Sequence, residues 1–230
     1  MRSSTLTLAL CSLAATAFAR PAESVADVPA SYVPDPSMIH EPGTVFNVRA
    51  LPTTENGLSG ACKAVTLIFA RGTGEDGNVG TVVGPQVFEA LRARLGTSAV
   101  TVQGVNYSAT VIGYLEGGDP AGTTEMLRLI NLASTQCPST KIVLSGYSQG
   151  AQLLHKAARS LSAAVTRRVA AVVLFGDPNN GQAVGTISNS LVLSNCHVND
   201  IICTGRGGAE AHLTYGEDAV AASDFIAARV

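Results

Sequence analysis

Residues 141–154 read KIVLSGYSQGAQLL: an apolar run, a serine between two glycines, then a run with helical spacing. Ile142, Val143 and Leu144 have the character of a buried strand, and Leu153 and Leu154 begin the apolar face of a helix. Ser148 therefore falls on a strand-to-helix connection, flanked by Gly146 and Gly150. Two glycines there let the strand and helix backbones approach at a sharp turn. The serine hydroxyl is then exposed at the end of a sheet, with a helix N-terminus behind it. This context favours a nucleophile over a serine that merely caps the helix.

The same alternation extends to both sides. AVTLIFA (64–70), AVTVQGV (99–105), VAAVVLFG (169–176) and LVLSNCHV (191–198) join 141–146 as strands, with helical patterns at 82–95, 121–135, 149–164 and 217–229. Near-continuous apolar strands separated by helices predict an α/β fold, a central five-stranded parallel sheet covered on both faces as a three-layer sandwich. Ligands of such sheets bind beyond the carboxyl ends of the strands, which selects the loops 71–80, 146–149 and 199–212.

A serine hydroxyl is a weak nucleophile until a base takes its proton, and the base needs an orienting carboxylate. Of the four histidines, His40 lies in a proline-rich arm, His155 sits two turns along the elbow helix, and His197 follows Cys196 at a strand end. His212, in EAHLTYG between the last strand and last helix, occupies the position from which a base reaches an elbow serine. Asp177 and Asp200 lie between Ser148 and His212 and are the candidate acids. Asp177, in FGDPNNG, ends a strand and turns the chain before Pro178. Asp200 is preferred, because the short segment from Cys196 to Cys203 would hold a carboxylate rigidly.

The first loop, FARGTGEDGNVG, carries Gly72, Gly74 and Gly77 in the spacing of a dinucleotide-binding turn. That function needs an acidic residue closing the second strand to hold a ribose, and VTVQGVNY offers none. An oxyanion hole is the better account: Gln149 supplies the N–H after the serine, and Thr73 supplies an N–H and a hydroxyl.

Net charge −2 without a basic stripe argues against nucleic acid or an anionic membrane as partner. Residues 1–19 read as a signal peptide, with Arg2, an apolar LTLALCSLAATAF and the small-x-small site Ala17-Phe18-Ala19. That run is too short to span a bilayer, so the expectation is a secreted monomer without membrane insertion. Residues 20–60 hold most of the prolines and read as a propeptide or flexible arm, leaving 61–230 as one domain. Cys11 belongs to the leader, so Cys62, Cys137, Cys196 and Cys203 remain for bridges in an oxidising compartment, with three pairings open. No zinc-ligand spacing is present, and no cofactor is implied.

FARGTGEDGNVG, CPSTKIVLSGYSQGAQL, GDPNNGQ, CHVNDIICTG and AHLTYG, in this order, resemble the cutinase family of secreted fungal serine esterases over about residues 60–230. The resemblance implies an α/β-hydrolase-like fold and ester hydrolysis through an acyl-enzyme. It implies Ser148 as nucleophile, Asp200 as acid, His212 as base and Thr73 with Gln149 as oxyanion donors. Disulfides Cys62–Cys137 and Cys196–Cys203 follow from the same resemblance. Thr73 stands where the best-known cutinases have serine, and RGGAEA at 206–211 is small and polar where an apolar segment is usual. The related acetylxylan esterases are the alternative activity, and a non-catalytic binding protein on the same scaffold the alternative class. The resemblance implies cutin or a similar aliphatic polyester, or a short-chain ester, as substrate; no insertion is long enough for a lid, so an open site working on soluble short-chain esters is expected.

Overall fold

The alternating apolar runs form five strands: β1 (Val65–Ala70), β2 (Val100–Gly104), β3 (Lys141–Tyr147), β4 (Val169–Phe175) and β5 (Val192–Asn195). The structure, a computed structural model, describes residues 51–230; the leader and the arm up to residue 50 lie outside the described residues. All strands pair in parallel, in the order β2-β1-β3-β4-β5. β1, flanked by β2 and β3, is buried along its whole length.

Because side chains alternate along a strand, the sheet feeds two separate cores. Leu67, Phe69, Val143, Val173 and Phe175 face α1 (Gly84–Leu95) and α7 (Ala219–Ala227) through Val87, Phe88, Leu91 and Ile226. Ile68, Ile142, Leu144, Val172 and Leu174 face α3 (Pro120–Gln136) and α4 (Gln149–Ala158) through Met126, Ile130, Leu153 and Leu154. Each of these side chains contributes roughly 1.5–3 kcal/mol by leaving water, so both faces of the sheet require a helical cover. The three-layer sandwich follows.

Three elements differ from the sequence pattern. The helix expected over 149–164 stops at Ala158, because Ser162 accepts a hydrogen bond from Val165 N–H and starts the separate short helix α5 (Ala163–Thr166). Strand β5 covers only four residues, since a 3₁₀ turn at Asn189–Leu191 takes up its expected start and Cys196 has already left the sheet. A five-residue helix, α2 (Val111–Leu115), was not expected; Thr110 caps it, and one turn is too short to show a period.

Residues 53–60, read above as the end of the arm, belong to the packed domain. Thr53 O accepts from Asn78 N–H and Val79 N–H, Glu55 O accepts from Gly104 N–H, and Leu58 is buried in the core on the α3 side. One buried leucine amid prolines carries no periodicity, which is why the sequence pattern passes over it. Two disulfides join Cys62 to Cys137 and Cys196 to Cys203, as the resemblance implies. They close loops of 75 and 7 residues, worth about 4–5 and about 2–3 kcal/mol in the chain-entropy account.

Candidate active site

Ser148 sits between the last residue of β3 and the first of α4, with φ +54° and ψ −118°. This conformation is strained for a residue with a side chain, and the surroundings impose it. A Cβ on Gly146 would collide with the carbonyl of Gly150, and a Cβ on Gly150 with the carbonyl of Ala70. The two flanking glycines are thus demanded by the close approach of β1, β3 and α4. Ser148 N–H donates to Phe175 O at 2.9 Å, which anchors the turn on β4. The hydroxyl makes no capping bond to the helix it precedes, so the simpler role for this serine is excluded.

Asp200 caps the short helix α6 (Ile201–Thr204), and its Oδ1 accepts from Ile202 N–H at 2.8 Å. Its other oxygen, Oδ2, lies 2.8 Å from His212 Nδ1 and 2.7 Å from Tyr215 Oη, whose hydroxyl donates to it. Burial alone would raise this carboxyl, but the hydrogen bonds from His212, Tyr215 and the Ile202 N–H outweigh it and hold the acid below the ordinary carboxylate value. An ionised Asp200 fixes Nδ1–H on the imidazole. Tyr147 holds His212 twice: its Oη donates to the backbone carbonyl at 2.8 Å, and its ring stacks on the imidazole with centroids 5.0 Å apart.

Ser148, His212 and Thr73 line one cavity of about 250 Å³. No hydrogen bond joins Ser148 Oγ to His212 among the described residues; such bonds are often long before a substrate arrives. The amide N–H groups of Thr73 and Gln149 have no acceptor among the described residues. Gln149 Nε2 donates to Thr73 Oγ1 at 2.7 Å and to Thr110 O at 2.8 Å. The Gln149 side chain therefore occupies a lone pair of the Thr73 hydroxyl and leaves its hydrogen free, a contribution beyond the backbone donor expected from the sequence.

A second group escaped the sequence reading. Glu75 lines the same cavity, and its carboxylate accepts from Gly72 N–H at 2.7 Å, Thr81 N–H at 2.8 Å and Val82 N–H at 2.9 Å. These bonds fold the 71–82 loop over the carboxylate and so set the position of Thr73. Of the glycines whose spacing resembles a dinucleotide turn, Gly72 donates to this clamp and Gly77 packs against the Thr53 carbonyl. Asp177, the other candidate acid, instead lies 2.8 Å from Nε2 of His155, while Asn179 N–H donates to its Oδ1. His197 lies beside Asp218 and Thr214, at 2.8 and 2.9 Å.

A model of the family described as Cutinase matches residues 61–230. The chain belongs to the cutinase family. A cutinase of Blumeria hordei is 54% identical over 189 residues, covering 80% of this chain and 80% of that protein. A cutinase of Botryotinia fuckeliana is 50% identical over 169 residues, covering 72% and 83%. Among solved structures, a Trichoderma reesei cutinase in complex with a phosphonate inhibitor superimposes with a TM-score of 0.72 at 42% identity, over 77% of this chain and 80% of that one. An acetyl xylan esterase at 24% identity, with a TM-score of 0.62, shares the fold. This cutinase-family chain is accordingly a carboxylic-ester hydrolase of the serine type, on an α/β-hydrolase-like scaffold.

Apolar residues dominate the cutinase cavity: Val82, Val111, Tyr114, Ile202 and Leu213 lie around the polar Thr73, Ser148 and His212. Val111 and Leu213 of this lining are 63% and 62% exposed, and Ile112 and Leu115, on the same short helix as Val111, are 69% and 75% exposed. The expected polarity of 206–211 holds for that segment, but α2 supplies the rim from elsewhere in the chain.

Proposed function

We propose that this enzyme hydrolyses aliphatic esters through Ser148, His212 and Asp200, with Thr73 and Gln149 as oxyanion donors. The observation that carries the reading is the Asp200–His212 bond behind a cavity that His212 lines together with a strained Ser148. With its proton on Nδ1, the imidazole presents an unprotonated Nε2 that takes the Ser148 proton as Oγ bonds to the ester carbon. The carbonyl π electrons move onto oxygen, which accepts from the Thr73 and Gln149 N–H groups and the Thr73 hydroxyl. The imidazolium then returns its proton to the departing alcohol, breaking the C–O bond of the ester. Water, deprotonated by the same nitrogen, releases the acid from the acyl-enzyme. Each step uses side chains of this chain and needs no cofactor.

The apolar cavity and rim favour an aliphatic acyl chain presented by a solid, such as cutin or a similar polyester, over a polar sugar ester or a soluble short-chain ester alone. The leader read at residues 1–19 would deliver the enzyme to such a polymer outside the cell. A phosphonate ester should label Ser148 covalently. Ser148→Ala should lose about four orders of magnitude in kcat while remaining folded. A folded chain that takes no label would instead be a binding protein on a hydrolase scaffold. For the substrate class, Ile112→Asp with Leu115→Asp should slow hydrolysis of a dispersed polyester by about tenfold and leave a soluble p-nitrophenyl ester within about twofold; equal losses on both would remove the rim from polymer recognition.

A further inference from the structure

Tyr215, from the stretch AHLTYG, is fully buried, and its hydroxyl donates to the same Asp200 oxygen that holds His212 Nδ1. Two donors thus share Oδ2, at 2.7 Å and 2.8 Å. The direction of the tyrosine bond is set by its other partners. His197 N–H donates to Tyr215 Oη at 2.9 Å, and the sulfur of Cys203, 3.4 Å away, is bridged to Cys196 and is a weak acceptor. The carboxylate is the strongest acceptor within reach of the hydroxyl hydrogen.

The ring is as firmly placed as the hydroxyl. His197 stacks on it with centroids 4.1 Å apart and an interplanar angle of 27°, and Phe175 packs edge-on at 6.2 Å. His197 is itself held by Asp218 Oδ2 at Nε2 and Thr214 Oγ1 at Nδ1. The titratable groups around this assembly are His212, Asp200, His197 and Asp218, with Tyr147 packed against both His212 and the Tyr215 ring, and Glu75 lining the same cavity as His212. Burial, and then the bond to Asp200, push the Tyr215 phenol well above its ordinary value, so it keeps its proton and stays a donor.

We infer that Tyr215 is a positioning residue that tunes the base: by donating to Asp200 Oδ2 it draws charge from the atom facing His212, with the His197–Asp218 pair holding the ring in register. The inference rests on the catalytic roles proposed above. A weakened Asp200 acceptor favours the imidazolium less, so the free base persists to lower pH. Removing the hydroxyl leaves the whole charge of Oδ2 to the imidazole and stabilises the protonated, inactive form.

The test is Tyr215→Phe in the full chain, with kcat/KM for a soluble p-nitrophenyl ester followed from about pH 4 to about pH 9. The acid limb should move up by about 0.5–1 pH unit while the plateau kcat stays within about fivefold. The proton NMR resonance of His212 Nδ1–H should move downfield. An unmoved limb and resonance, with only a lower Tm, would make the tyrosine structural and overturn the inference, as would a plateau fallen to the Ser148→Ala level in a folded protein. Incorporation of 3-fluorotyrosine at 215 keeps the ring and strengthens the donor, so the limb should move to lower pH; this variant decides the matter if the phenylalanine chain fails to fold, and a limb that stays put overturns the inference. Failure of the triad would appear separately, as activity retained by Ser148→Ala.

Discussion

Two buried histidine–aspartate pairs in this protein have the same 2.8 Å spacing and different surroundings. His155 and Asp177 are each 1% exposed at the side chain; their bond ties the middle of α4 to the turn after β4. His155 Nδ1, the nitrogen away from the carboxylate, meets no partner and no solvent among the described residues. His212 is 11% exposed at the side chain and borders a cavity shared with Ser148, while its Asp200 is sealed. The pair alone does not make a base. What separates the two is that His212 lines a cavity together with Ser148, as the proposed base must, while the second nitrogen of His155 is sealed.

The largest effect that could break this contrast is on rate. Asp200→Asn should lower kcat by about 10⁴-fold in a chain that still folds, since the imidazole then loses the correct tautomer. Asp177→Asn should do the reverse: kcat within about threefold, and a loss of roughly 3 kcal/mol in unfolding free energy for a broken buried pair. Comparable losses of kcat in both folded variants would mean that the two pairs are not functionally distinct.

Smaller effects sharpen the picture around the site. Glu75→Gln should reduce kcat by about 10- to 100-fold with KM within about twofold, because an amide cannot accept all three loop N–H groups and Thr73 shifts from the oxyanion position. A rise in KM alone would limit Glu75 to binding. The smallest expected effect is on stability against pH. Tyr107, Tyr147 and Tyr215 are all pushed upward, by burial first, so the folded chain keeps phenol protons that the unfolded chain releases. Their contribution is complete below about pH 10 and is lost as pH rises beyond it. Asp200, held low, contributes the opposite: its share is present above the ordinary carboxylate value near pH 4 and fades as pH falls through the lower folded value. Thermal unfolding midpoints across pH should show both shoulders, and Tyr215→Phe should shrink the alkaline one.

The strands and the elbow were legible because they repeat local rules: alternation every second residue, and glycines at a turn. His212 and Asp200 could be chosen from few alternatives by chain order and position. Glu75 was visible only as an acidic residue in a glycine loop, since its three partners are backbone N–H groups and leave no side-chain signal. The His155–Asp177 bond joins residues 22 apart on two elements, and neither residue type announces a partner. Leu58 and α2 were missed for a related reason, being too short to carry a period.

By itself, the sequence determined the parallel α/β sheet, the placement of Ser148 on its turn and the family, because each rests on spacing within a few residues or on ordered motifs. Tertiary structure alone decided which aspartate meets which histidine, how Tyr215 and Glu75 reach the site, and that α2 lays an apolar rim around it. Those contacts join strand ends distant along the chain. Their distances are set by how the two cores pack the helices onto the sheet, and no local pattern encodes them.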